Sequence, residues 1–185
     1  MAEFSCLRCG PITLYLIDSW NVREAEAMVC RFKDRMAFRK EFNRSYLPTF
    51  NEKGTRLKWG FYSRLDGQIA GLSLLGIDEK DPKLGYTGAD TLTHMRGRGV
   101  APGSKPALFY LGFKLLGLKR IETGCAISNA SSKRSIEKTP GFEPTGVFPG
   151  THPNERGEME DEFRYMIKRD SWKQLYSHVK IEVLK

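Results

Sequence analysis

Apolar and polar positions change rhythm several times along the chain, and each rhythm predicts an element. The run ITLYLI (12–17) is β-branched and aromatic and predicts a strand. Ser19 is placed to cap a helix. From Val22 to Phe42 apolar residues recur at Val22, Ala25, Met28, Val29, Phe32, Met36, Phe38 and Phe42, spacings that suit one helix face or two successive helices. Residues 47–54, with Pro48 and Gly54, predict a loop. The runs 56–65 and 68–77 then flank Asp66-Gly67, a strong hairpin signal because a two-residue turn needs positive φ. A loop at 78–82 leads to a third strand at 83–92, so this region predicts an antiparallel meander.

Beyond it, residues 106–120 are rich in leucine and aromatics and predict a buried helix, with Pro106 in its first turn and Gly117 at its end. Next come a strand at 120–127, a short helix at 131–139 capped by a serine near its start, and a short strand within 141–150. Residues 151–160 predict a polar loop, 162–169 a strand, and Ser171 the start of a C-terminal helix. No repeat or linker divides the chain, so a single domain over residues 1–185 is expected.

Composition adds limits. At 40% hydrophobic and 28% charged residues, the chain has the make-up of a globular protein and not of a disordered one. No apolar run approaches the roughly 20 residues that span a bilayer, and MAEFSCLRCG does not read as a secretory signal. A cytoplasmic protein with no membrane partner, monomeric or homodimeric, is therefore expected. The net charge of +8 favours anionic partners such as nucleic acid, a ribosome or a phosphorylated small molecule without choosing among them. Cys6 and Cys9 form a C-x-x-C, but Cys30, Cys125 and the three histidines stand at no matching metal spacing, so no metal is expected and the pair reads as free thiols.

The stretch MRGRGVAPG (95–103) carries most of the chemistry. It joins a strand to a helix, and such a junction gathers free backbone N–H groups and the positive end of the helix dipole into an anion site. The order Gly103-Ser104-Lys105 is wrong for a nucleotide-binding P-loop. Gly97 and Gly99 begin a dinucleotide fingerprint, but Pro102 stands at its third glycine and the preceding strands form an antiparallel meander.

Arg96-Gly97-Arg98-Gly99-Val100-Ala101 instead resembles the R/Q-x-x-G-x-G/A loop of the GNAT superfamily of acyl-CoA-dependent N-acyltransferases. Other segments resemble the family in the same order: Gly85-Tyr86 on the strand before the loop, 116–122 closing the helix, Asn129-Ala130-Ser131-Ser132, Glu137-Lys138 and Gly141-Phe142. Asp161, Tyr165, Arg169 and Trp172 resemble the tail of the Rim-type ribosomal-protein N-terminal acetyltransferases. The chain departs from the family at Pro102 and Pro106, where its helix usually begins, at Pro140, and at Ile136, where many members carry a tyrosine.

The resemblance implies an α/β (α+β) fold with a mixed, mostly antiparallel sheet of six or seven strands, splayed in a V and flanked by helices. It implies acetyl-CoA as co-substrate, its pyrophosphate on Arg96, Gly97, Arg98, Gly99, Val100 and Ala101, and its pantetheine along Thr91, Leu92 and Thr93, with Asn129 also in contact. It implies transfer to a primary amine, on a protein N-terminus, a peptide or a small molecule. Ser132 matches the serine that would protonate the departing thiolate. Asp90 ends the strand nearest the acyl group and is the candidate base, with Glu79 and Asp81 on the loop before it. The acceptor would be chosen by residues 20–55 and 148–160. The contrasting expectation, from charge and the absent tyrosine, is a non-catalytic module that binds CoA, nucleic acid or a ribosome.

Overall fold

Asp66 and Gly67 both adopt left-handed backbone angles, φ 50° and 79°, the pair a tight hairpin turn requires. They join β3 (Lys58–Leu65) to β4 (Gln68–Ile77), the centre of the sheet in this computed structural model, which describes residues 4–18, 21, 46–153 and 158–185. The helix expected over 22–42 and its cap Ser19 lie outside the described residues. To one side of the hairpin stand β2 (Ile12–Ile17), β1 (Cys6–Cys9) and β9 (Glu182–Leu184). To the other stand β5 (Leu84–Thr91), β6 (Arg120–Ala126), β8 (Met159–Lys168) and β7 (Glu143–Pro153).

The sheet is mixed and mostly antiparallel, and among the described residues its only parallel neighbours are β5 and β6. Those residues supply nine strands where six or seven were expected. The additional β1 and β9 are too short to show a period, and they pair across the whole chain, Cys6 with Leu184. Half of 151–160 is strand where a polar loop was expected, since β7 runs to Pro153 and β8 begins at Met159, and 154–157 lie outside the described residues.

Helix α1 (Val100–Phe109) continues through a wider π-turn segment, Tyr110–Leu115, and ends before Gly117 at φ 71°. It begins six residues earlier than expected. Pro102 lies in the first turn, where a missing N–H leaves no bond unmade, so only Pro106 interrupts the helix interior. The helix packs on one face of the sheet, with Gly112 against Ile121 and Leu75. Phe109, fully buried, meets Phe142 and Tyr176 edge-on at 5.3 and 5.4 Å.

Two further helices are α2 (Ala130–Glu137) and α3 (Arg169–Tyr176), whose Trp172 ring meets Phe113 at 5.4 Å with the planes tilted by 33°. The tail motif is structural here: the Tyr165 hydroxyl donates to Glu137, and Asp161 accepts the Gly150 N–H. Cys6 and Cys9 are three apart on a strand, so their side chains leave opposite faces and cannot share a metal or a disulfide without distortion.

Candidate functional site

Strands β5 and β6 pair over only three positions, Leu84 with Arg120, Gly85 with Ile121 and Tyr86 with Glu122, and then part. At the parting point Thr123 Oγ1 donates to the Thr87 carbonyl at 2.9 Å, replacing the ladder bond a paired strand would make. The Lys83 carbonyl accepts the Arg120 N–H, so odd-numbered residues of β5 turn their backbone groups toward β6. Those of Ala89 and Thr91 therefore face the gap, and β6 offers them no partner. This is a free strand edge inside a sheet, the V expected from the resemblance.

The free edge leads to the arginine–glycine loop. After Thr91, Leu92 is buried and its N–H is bound to the Ala70 carbonyl, and Thr93 opens a one-turn 3-10 helix whose carbonyl accepts the Arg96 N–H. Leu92 thus turns its N–H away from the gap, and the strand edge that faces it falls on Ala89 and Thr91. Gly97 and Gly99 take φ 79° and 77°, which a side chain would strain. The Arg98 N–H turns back to the Met95 carbonyl at 3.4 Å, and that of Gly103 makes the first helical bond, to Gly99. The N–H groups of Gly97, Gly99, Val100 and Ala101 remain at the helix start, flanked by the exposed Arg96 and Arg98. Orphan donors, a helix dipole and two guanidinium groups fit a pyrophosphate.

Asn129 caps α2: its side-chain oxygen accepts from the Ser132 N–H at 3.0 Å and the Ser131 hydroxyl at 2.9 Å. The helix therefore begins at Ala130, and its cap is the asparagine where a serine was expected. The Ser132 hydroxyl is not spent on the cap and meets the Cys125 thiol, whose pKa burial raises and that contact lowers.

On the face away from α1 the V opens into a cleft of about 340 Å³, lined by Leu74, Tyr86, Gly88, Glu122, Gly124, Glu162 and Arg164 among others. Glu162 is held by Arg164 at 2.7 Å and His152 at 3.5 Å, which leaves Glu122 as the other carboxylate of the cleft, at the vertex. Asp90 lies on the same strand face, two residues beyond Gly88 and outside the lining. Glu79 and Asp81 are brought to neither: they sit on the loop at the opposite end of β5, where Asp81 pairs with Arg120 at 2.6 Å.

On the α1 side, Lys105 is 4% exposed and donates to Thr87 Oγ1 at 3.3 Å. Burial lowers its pKa from 10.5 to about 7. Sequence reasoning used neither Glu122 nor Lys105 as a site residue. The signal for Glu122 was alternation, which puts it opposite the apolar Ile121. For Lys105 it was spacing, since a lysine three and four residues before Leu108 and Phe109 stands in the apolar stripe of its helix. Among the described residues, no His, Cys, Asp or Glu cluster could hold a metal, and no helix is long and apolar enough to cross a membrane.

No protein-family model matches the chain, and no curated protein matches its sequence. Solved structures do match. A chimera of the Vibrio cholerae spermidine N-acetyltransferase SpeG with hSSAT is 15% identical, with a TM-score of 0.66 over 89% of this chain and 99% of that one. RimL, a ribosomal L7/L12 α-N-protein acetyltransferase solved with coenzyme A, is also 15% identical, with a TM-score of 0.66 over 91% and 99%. The microcin C7 self-immunity acetyltransferase MccE, solved with acetyl-CoA and AMP, is 18% identical, with a TM-score of 0.62 over 86% and 93%. The chain thus has the fold of the GNAT acetyltransferases. Its likeness to RimL is no greater than its likeness to the spermidine enzyme.

Proposed function

We propose that the chain is an N-acetyltransferase that moves the acetyl group of acetyl-CoA to a primary amine by direct attack in a ternary complex. The observation that carries the reading is the continuity of the free β5 edge at Ala89 and Thr91 with the donor-rich loop at 96–101. A polyanion with a long amide-bearing arm fits that path: phosphates on Gly97, Gly99, Val100, Ala101, Arg96 and Arg98, amides along the strand edge, thioester toward the root of the gap. Three neighbours of the same fold are acetyltransferases, two of them solved with CoA or acetyl-CoA.

The acceptor enters from the cleft face, where Glu122 at the vertex and Asp90 farther along β5 are the carboxylates able to take a proton from an ammonium. The freed amine attacks the thioester carbonyl, and the thiolate leaves with a proton from Ser132. Asn129 holds the first turn of α2, and with it Ser132, beside Cys125 of β6.

Calorimetric titration with CoA, followed by thiol release from acetyl-CoA against polyamines and peptides with free N-termini, tests the reading. Micromolar CoA binding and amine-dependent thiol release are expected. A chain that binds no CoA would refute it.

A further inference from the structure

Lys105 is a buried amine with no opposite charge beside it among the described residues. It stands on the second turn of α1, donates to Thr87 Oγ1, and lies 6.0 Å from the centre of the Phe142 ring. No carboxylate of those residues comes within ion-pair distance of it. The Thr87 hydroxyl gives its own hydrogen to the Leu74 carbonyl at 2.8 Å, so it can only accept from the lysine. Thr87 is also the first residue of β5 beyond its last pair with β6. Nζ therefore stands at the root of the gap, on the α1 side, the side opposite the cleft.

We propose that Lys105 is an internal acyl acceptor: an acyl thioester seated along the free edge of β5 transfers its acyl group to Nζ. The inference rests on the acyl-CoA reading above. With phosphates on residues 96–101, the arm runs back along β5, and Thr91 to Thr87 is roughly 13 Å of strand at 3.3 Å per residue. The thioester end is thereby directed toward the vertex where Nζ stands.

The chemistry is balanced. The unprotonated amine forms a C–N bond to the thioester carbonyl, the C–S bond breaks, and the amine proton goes to the departing thiolate. The products are a free CoA thiol and an amide on Lys105. An exposed lysine is held protonated by water and reacts slowly at neutral pH. Here burial disfavours the ammonium, and the amide product keeps one N–H for Thr87 while removing the charge for good. The acyl group then occupies the root of the gap, so the modified chain holds acyl-CoA less tightly and the transfer limits itself.

The test needs no knowledge of the external acceptor. The full chain is incubated with carbon-13 acetyl-CoA at neutral pH, digested, and mapped by peptide mass spectrometry, while calorimetry measures acetyl-CoA binding on the same sample. Label on Lys105 should approach one per chain, at least tenfold faster than on the exposed Lys80 and Lys114, and the preference should vanish in urea. Acetyl-CoA binding with Lys105 unlabelled, or labelled no faster than those two, overturns this inference and leaves the parent reading intact. Absence of acetyl-CoA binding overturns both.

Discussion

Replacing Lys105 with methionine should stabilise the protein, and the gain should depend on pH in a defined way. The side chain is 4% exposed, and burial takes its pKa from 10.5 to about 7. In the unfolded chain the lysine holds its proton up to pH 10.5; in the folded chain it loses it near 7. Between those values the unfolded state binds the extra proton, so wild-type stability rises with pH across that window and is flat in this respect below it. A fall from 10.5 to about 7, at about 1.4 kcal/mol per pH unit, sets a ceiling of about 5 kcal/mol on the penalty at neutral pH. Methionine has a similar length, leaves Thr87 its bond to Leu74, and does not titrate. A gain of about 1–4 kcal/mol at pH 7 is expected, as when other buried charges are replaced by apolar residues. The gain should shrink steadily toward pH 10. Urea unfolding of both proteins, followed by tryptophan fluorescence at pH 7, 8, 9 and 10, measures the difference, and groups common to both cancel. A difference that does not change with pH, or a methionine variant less stable at pH 7, would refute the reasoning.

Asn129→Ala should lower stability by about 1 kcal/mol by removing the cap of α2, whereas Ser132→Ala should leave the melting temperature nearly unchanged and lower kcat; thermal melts and thiol-release kinetics on both variants separate the roles. Arg96→Ala with Arg98→Ala should weaken CoA binding by a few kcal/mol, since charged hydrogen bonds contribute roughly 1.5–3 kcal/mol each; equal calorimetric affinities in variant and wild type would place the phosphates elsewhere. Phe109→Ala should destabilise by about 3–5 kcal/mol, because its ring is wholly enclosed beside Phe113, Phe142 and Tyr176; chemical denaturation reads the loss. Gly141→Ala should also destabilise, since φ is 88° and a Cβ there would stand 2.8 Å from Ile167 and 2.9 Å from Leu175; a melting temperature within a degree of wild type would contradict it.

What could be read in the chain was local. Asp66-Gly67 between apolar runs identified the hairpin because few residues accept two positive φ values in succession. The loop at 96–101 was readable because its glycines and arginines are adjacent in sequence. The misses share a different cause. Strands β1 and β9 owe their existence to pairing between residues nearly the whole chain apart, which no window detects. The start of α1 was displaced because two prolines look like a boundary, yet Pro102 falls where its missing N–H is harmless. Asn129 and Ser132 were both marked, but which of them caps α2 depends on where the helix begins, a matter of a single residue. Lys105 and Glu122 acquire meaning only from what the folded sheet sets beside them: α1 carries one against Thr87, and the end of the β5–β6 ladder leaves the other beside an opening.

The short seam between β5 and β6 has a mechanical consequence. Everything from β9 across to β5 is one antiparallel ladder, and β6, β8 and β7 form another. Among the described residues, three residue pairs, the Lys83 carbonyl beside them and the Thr123–Thr87 bond join the two ladders within the sheet. A rotation of one half against the other would change the width of the slot without stretching any antiparallel rung. Within the sheet, slot width is thus the coordinate held by the fewest backbone hydrogen bonds, and a ligand lying in it would act as a spacer between the two ladders.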